Sequence, residues 1–205
     1  MAKHIDMASY PRKAHFDYFR TLANPYMGVT VETDVTDAVA ACRNKDRSFF
    51  LSVLHCAALA ADDIPEFRQR IDGSGIIEYD ECPTSHIELL ENGSYCYCTL
   101  YHHMDIEEYY KDARKRQAAA KKAATIEEDE NVDSMYFISC IPSLSYSALV
   151  QPTGSDSNPR ITWGGYREVN GRLIMPVSVL VHHSLMDGMQ LTEFYRGLEA
   201  RMSKL

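Results

Sequence analysis

The chain has 205 residues, 45% of them hydrophobic and 24% charged, with a formal net charge of −8. At about 100 to 200 residues per domain, residues 1–205 are expected to form a single domain with a sizeable core. The acidic balance speaks against binding to nucleic-acid phosphates, and no apolar run approaches the ~20 residues that a membrane span needs, so neither partner is expected.

The opening residues, MAKHIDMASYPRK, hold no apolar stretch of the secretory type, so no leader is expected. Arg12 to Leu22 then reads as a helix that stops before Asn24-Pro25, Met27 to Asp34 alternates like a strand, and Phe49 to Ala61 is an apolar helix. Ile76 to Tyr79, His86 to Leu90 and Tyr95 to Tyr101 read as short strands broken by Gly, Pro and Asn. His102-His103-Met104-Asp105 follows, with Asp105 placed to cap a helix over Glu107 to Ala124. Its HHxD spacing has no third ligand at a recognisable zinc interval, so no metal is expected. The basic run KDARKRQAAAKKAA reads as the solvated face of that helix rather than as a phosphate site. The acidic TIEEDENVD over 125–133 and the polar QPTGSDSNP over 151–159 read as surface loops. Met135 to Cys140, Ser145 to Val150, Ile161 to Val169 and Leu173 to Val181 complete the strands.

Six cysteines without CxxC spacing read as free thiols in a reducing compartment, which points to the cytoplasm. Cys96 and Cys98 share one face of an alternating strand, where the core is the simpler home for both. His55 sits in the apolar helix and reads as packed rather than catalytic.

The most informative segment is His182-His183-Ser184-Leu185-Met186-Asp187-Gly188. It follows the β-branched run LIMPVSVLV and precedes Met189, Leu191, Phe194, Tyr195 and Leu198, which recur at helical spacing. His183 therefore stands at a strand end, and Asp187 stands where an N-cap belongs. An imidazole, with an ordinary pKa of about 6.5, is suited to take a proton from a hydroxyl near neutral pH. Asp187 is placed to fix that ring, either directly or through the local backbone. The same residues also suit a packed histidine beside an ordinary helix cap.

Further blocks extend this segment over nearly the whole chain. They are Arg12-Lys13-Ala14-His15-Phe16-Asp17-Tyr18-Phe19, then Pro65-Glu66-Phe67-Arg68 with Asp72-Gly73, then Phe137-Ile138-Ser139-x-x-Pro142 and Thr162-x-Gly164-x-Tyr166. In order and spacing, together with HHxxxDG, they resemble the type A chloramphenicol acetyltransferase family. HxxxD alone is shared with dihydrolipoyl acyltransferases and peptide-synthetase condensation domains; the five blocks in register are more specific.

The resemblance implies a two-layer α/β sandwich with a mixed sheet, assembled as a homotrimer with active sites between subunits. It implies acetyl-CoA as co-substrate, a small hydroxyl acceptor such as chloramphenicol, and antibiotic resistance as the role. It assigns His183 as general base, Ser139 as donor to the tetrahedral oxyanion, and Thr162 as a residue acting through a bound water. Asp187 and Arg12 become an ion pair that shapes the loop. On the acceptor side Phe19 stands where some members carry a phenol, Ser143 where a tryptophan is common, and Met27 near an apolar wall. These departures leave room for a different hydroxyl or thiol acceptor, or for a catalytically silent homologue.

Overall fold

The computed structural model describes residues 2–127, 129 and 131–205. In chain order the strands are β1 (Ala2–His4), β2 (Tyr26–Asp34), β3 (Gln69–Asp72), β4 (Gly75–Tyr79), β5 (Thr84–Leu89), β6 (Tyr95–Leu100), β7 (Tyr136–Ile141), β8 (Arg160–Gly164), β9 (Arg167–Val169) and β10 (Arg172–His182). The helices are α1 (Lys13–Phe19), α2 (Thr36–Asn44), α3 (Phe49–Asp62), α4 (Ile106–Ala123) and α5 (Gly188–Met202). The main sheet runs β2-β10-β8-β7-β5-β6, with β9 beside β10, and β1-β4-β3 form a small second sheet. The main sheet is mixed, because β7 runs parallel to both β5 and β8 while the other pairs are antiparallel.

One face of the main sheet makes the core. Ile138, Ile161, Trp163, Val177, Val179 and Val181 alternate inward along β7, β8 and β10 and join Leu54, Ala57 and Ala61 of α3 and Leu191, Phe194 and Leu198 of α5 in one buried cluster. Alanines on α3 let it lie close to α5, where Gly197 approaches Ala60. Side-chain caps start three of the helices: Ser48 accepts from Leu51 N–H, Asp105 from Glu107 and Glu108 N–H, and Asp187 from Met189 N–H. The expected two-layer α/β arrangement is the observed one.

Four differences from the sequence expectation have physical reasons. The helix α2 carries no side-chain cap from its N-cap residue Val35 and spans only nine residues, so it leaves a weak signal. The strands β1 and β3, of three and four residues, are too short to show a period. Ser145 to Val150 is no strand; it crosses the sheet face, where the Tyr146 hydroxyl donates to the Thr162 carbonyl at 3.2 Å. Ile161 to Val169 divides into β8 and β9 at Gly164-Gly165. On β10 that break faces Met175 and Pro176, which pair with neither strand, and proline has no N–H to give. The loop expected over 125–133 includes residues 128 and 130, which lie outside the described residues; at its end Val132–Ser134 forms a 3-10 turn.

The break also seats the segment after β7. A Cβ on Gly164 would stand 2.4 Å from the Leu144 carbonyl oxygen and 2.9 Å from the Tyr146 ring. Gly164→Ala is therefore expected to push 142–146 off the sheet and lower the melting temperature, since overpacking costs about 1–3 kcal/mol. An unchanged melting curve by calorimetry would contradict this close fit.

Candidate active site

The strand β10 ends at His182, and His183 follows it with its backbone N–H held by the Pro25 carbonyl at 2.8 Å. The His183 Nδ1 lies 2.9 Å from the Met186 carbonyl oxygen. A carbonyl only accepts, so the contact requires a proton on Nδ1, and the neutral ring then carries its lone pair on Nε2. Phe19, the last residue of α1, stacks on the imidazole with ring centroids 3.8 Å apart and planes inclined by 30°. The ring is thus fixed in both tautomer and plane, and it stays partly open to solvent.

Asp187 takes the indirect route of the two open to it. Its Oδ2 accepts from Arg12 Nη1 at 2.6 Å and its Oδ1 from Met189 N–H at 2.9 Å. These contacts hold its carboxyl below the ordinary carboxylate range, the Arg12 hydrogen bond first. Gln190 completes a capping box by accepting from Asp187 N–H at 3.0 Å, and its amide donates to Glu66 Oε1 at 3.1 Å. Together they fix the 183–187 turn that presents the Met186 carbonyl to His183. A glutamine three residues after an N-cap aspartate is the sequence signal for this box.

The neighbouring His182 is a packed histidine. It is 6% exposed and sits edge-on to Tyr26, and its Nδ1 accepts from Ser184 N–H at 3.3 Å. Burial pushes its pKa down to about 4, partly offset by Asp156. A histidine depressed in the folded state is protonated first in the unfolded chain, so its contribution to stability is lost as pH falls from about 6.5 toward about 4. Melting temperature should fall between about pH 7 and about pH 5, less steeply in His182→Asn; identical slopes would contradict this assignment.

Ser139 and Thr162 lie elsewhere on the sheet. Ser139 pairs with Thr162 across β7 and β8, Thr162 with Ser178 across β8 and β10, and Ser178 with Thr30 across β10 and β2. Four hydroxyl-bearing residues therefore cross four strands on the face opposite the core. Ser178 and Thr30 bond each other at 2.7 Å, and Thr162 Oγ1 donates to Gln151 Oε1 at 3.3 Å. Among the described residues the Ser139 hydroxyl has no intramolecular partner. It opens into a groove of about 470 Å³ walled by Phe137, Leu149, Val150 and Gln151.

The structure does not bring these two halves together within one chain. His183 lies five residues beyond Ser178, so at about 3.3 Å per residue and about 4.8 Å per strand it stands roughly 16 Å along and roughly 10 Å across from Ser139. Of the acceptor-side candidates, Phe19 touches His183, whereas Met27 pairs with Val181 and packs against the core. Ser143 sits on the exposed turn after β7, where the adjoining Pro142 carbonyl would meet a Cβ on Gly165 at 2.3 Å. Burial raises the thiols of Cys56 and Cys98 to about 12 and that of the half-buried Cys140 to about 11, so all three stay protonated near neutral pH. Among the described residues no helix is long and apolar enough to cross a membrane.

The chain is similar to known proteins along nearly its whole length. A family model described as chloramphenicol acetyltransferase matches residues 2–199. A chloramphenicol acetyltransferase of Proteus mirabilis is 23% identical over 188 residues, which is 90% of this chain and 87% of that protein. One from Streptomyces acrimycini is 25% identical over 207 residues, 97% of this chain and 93% of that protein. A solved chloramphenicol acetyltransferase superposes with a TM-score of 0.87 at 28% identity, covering 98% of this chain and all of that one. The truncated catalytic core of the 2-oxoacid dehydrogenase complex from Thermoplasma acidophilum shares the fold, with a TM-score of 0.69 at 17% identity and 98% of each chain covered.

Proposed function

Because the chain belongs to the chloramphenicol acetyltransferase family, we propose that it moves the acetyl group of acetyl-CoA to a hydroxyl of chloramphenicol or a similar small acceptor, with His183 as the base. The observation that carries this is the 2.9 Å contact between His183 Nδ1 and the Met186 carbonyl, which leaves Nε2 free to accept a proton. Nε2 takes the hydroxyl proton as the acceptor oxygen attacks the thioester carbonyl. The tetrahedral oxyanion accepts from Ser139 Oγ–H and collapses, expelling the CoA thiolate, which takes the proton from the imidazolium. No acyl-enzyme is needed, which agrees with cysteines held as thiols by burial. Thr162 acts through a bound water, and the Arg12–Asp187 pair keeps the loop in shape.

The distance between His183 and Ser139 in one chain supports an active site shared between two copies, an arrangement that a homotrimer provides at each of its interfaces. The Ser139 groove of one copy then receives His183 of the next. Ser139→Ala is expected to lower turnover by about 10²- to 10³-fold, the loss typical of one oxyanion donor, without changing the melting temperature. Co-assembling the Ser139→Ala and His183→Ala chains should restore activity, because some interfaces then hold both native groups. Mixed oligomers as inactive as either variant alone would contradict the shared site.

In this reading the enzyme works in the cytoplasm, where acetyl-CoA is supplied, needs no metal for the transfer, and confers antibiotic resistance. Phe19 favours a second reading of the acceptor, since its ring has no phenol to bond an antibiotic hydroxyl. A different hydroxyl or a thiol acceptor would meet the same base and the same oxyanion donor.

A further inference from the structure

We propose that Asp62, His102 and His103 form a binding site for a divalent transition-metal ion of the Zn²⁺ or Co²⁺ class, separate from the acyl-transfer groups. Asp62 is the last residue of α3, and the two histidines lie on the connection from β6 to α4. Sequence spacing offered only His102 and His103; the fold supplies the third ligand from 40 residues upstream.

Both imidazoles converge on one oxygen. His102 Nε2 lies 2.5 Å and His103 Nε2 3.0 Å from Asp62 Oδ2, and one ligand atom from each residue falls within 4.8 Å of the others. Two imidazoles and one carboxylate are a ligand set that suits zinc, cobalt and related ions. With bonds of about 2.1 Å, ligand atoms at right angles stand about 3.0 Å apart and at the tetrahedral angle about 3.4 Å apart. The His103 separation meets the first value as it stands, and the His102 contact must open by about half an ångström.

The surroundings suit a bound ion. The Tyr136 hydroxyl donates to Asp62 Oδ1 at 2.8 Å, which orients the carboxylate and leaves Oδ2 to the ion. The side chains of His102 and Asp62 are 0% and 10% exposed, whereas that of His103 is 41% exposed. An ion therefore enters from the His103 side, where water completes its coordination. None of the three residues lines the Ser139 groove or touches His183. Bound there, the ion ties the end of α3 to the start of α4 and stabilises the helical layer.

The test is titration of the untagged full chain, stripped with a chelator, with Co²⁺ near neutral pH. The expected result is uptake of one ion per chain, a visible Co²⁺ absorption band and a raised melting temperature. His103→Ala, on an exposed side chain, should lose all three signals and keep wild-type acetyl transfer, while His183→Ala keeps them. Asp62→Asn should weaken uptake. No uptake by the wild-type chain, or equal uptake by His103→Ala, would overturn the proposal.

Discussion

His183→Ala is expected to lower turnover by at least about 10²- to 10⁴-fold while lowering the melting temperature by only a few degrees. The ring is only partly buried, and among the described residues its one side-chain hydrogen bond goes to the Met186 carbonyl. Removing it costs the fold the Phe19 stack and that bond, whereas the reaction loses the atom that takes the acceptor proton. The comparison to make is kcat against thermal unfolding in the same preparation. A variant that turns over near the wild-type rate would remove His183 from the mechanism, and one that unfolds would make it a structural residue.

Arg70→Met is expected to have the largest effect on stability. Arg70 is 3% exposed, and its guanidinium donates to five backbone carbonyls at 2.7–3.0 Å: those of Phe67, Gln69, Asp133, Ser134 and Met135. It thereby clamps the start of β3 to the turn before β7, the strand that carries Ser139, and it lies over the Tyr136 ring. Each buried acceptor left without a partner costs about 1–3 kcal/mol, and a total loss of at least about 3–5 kcal/mol is a large share of a net stability of about 5–15 kcal/mol. For a chain of this length that is a fall on the order of 10 °C in melting temperature. Arg70→Lys, with three donors for five acceptors, should fall between the two. A melting temperature for Arg70→Met within about 2 °C of wild type would show that the carbonyls find other partners.

The His182–Gly188 block proposed for catalysis was legible in the sequence because its parts are local. A β-branched strand, a histidine at its end and a capping aspartate before a helical period are all read from adjacent residues. The Arg12–Asp187 pair and the role proposed for Ser139 came through the family resemblance, since nothing local joins residues so far apart. Features that depend on packing were hidden. The Met186 carbonyl that sets the His183 tautomer leaves no side-chain signature, and the Ser145–Val150 segment alternates like a strand although it lies across a sheet face. Met27, placed by analogy near an acceptor wall, is on the core face because strand alternation pairs it with Val181. The sequence could offer His102 and His103 as neighbours, but only the fold brings Asp62 to them.

The central claim is acetyl transfer from acetyl-CoA to a small acceptor. Its most direct test is the release of free CoA thiol by the purified wild-type protein, with chloramphenicol and without an acceptor. Thiol release that depends on chloramphenicol and yields the O-acetyl product is the predicted result. Acetyl-CoA binding without thiol release in the presence of chloramphenicol would contradict that acceptor, and the same silence with other small alcohols and thiols would contradict the acyltransferase reading itself.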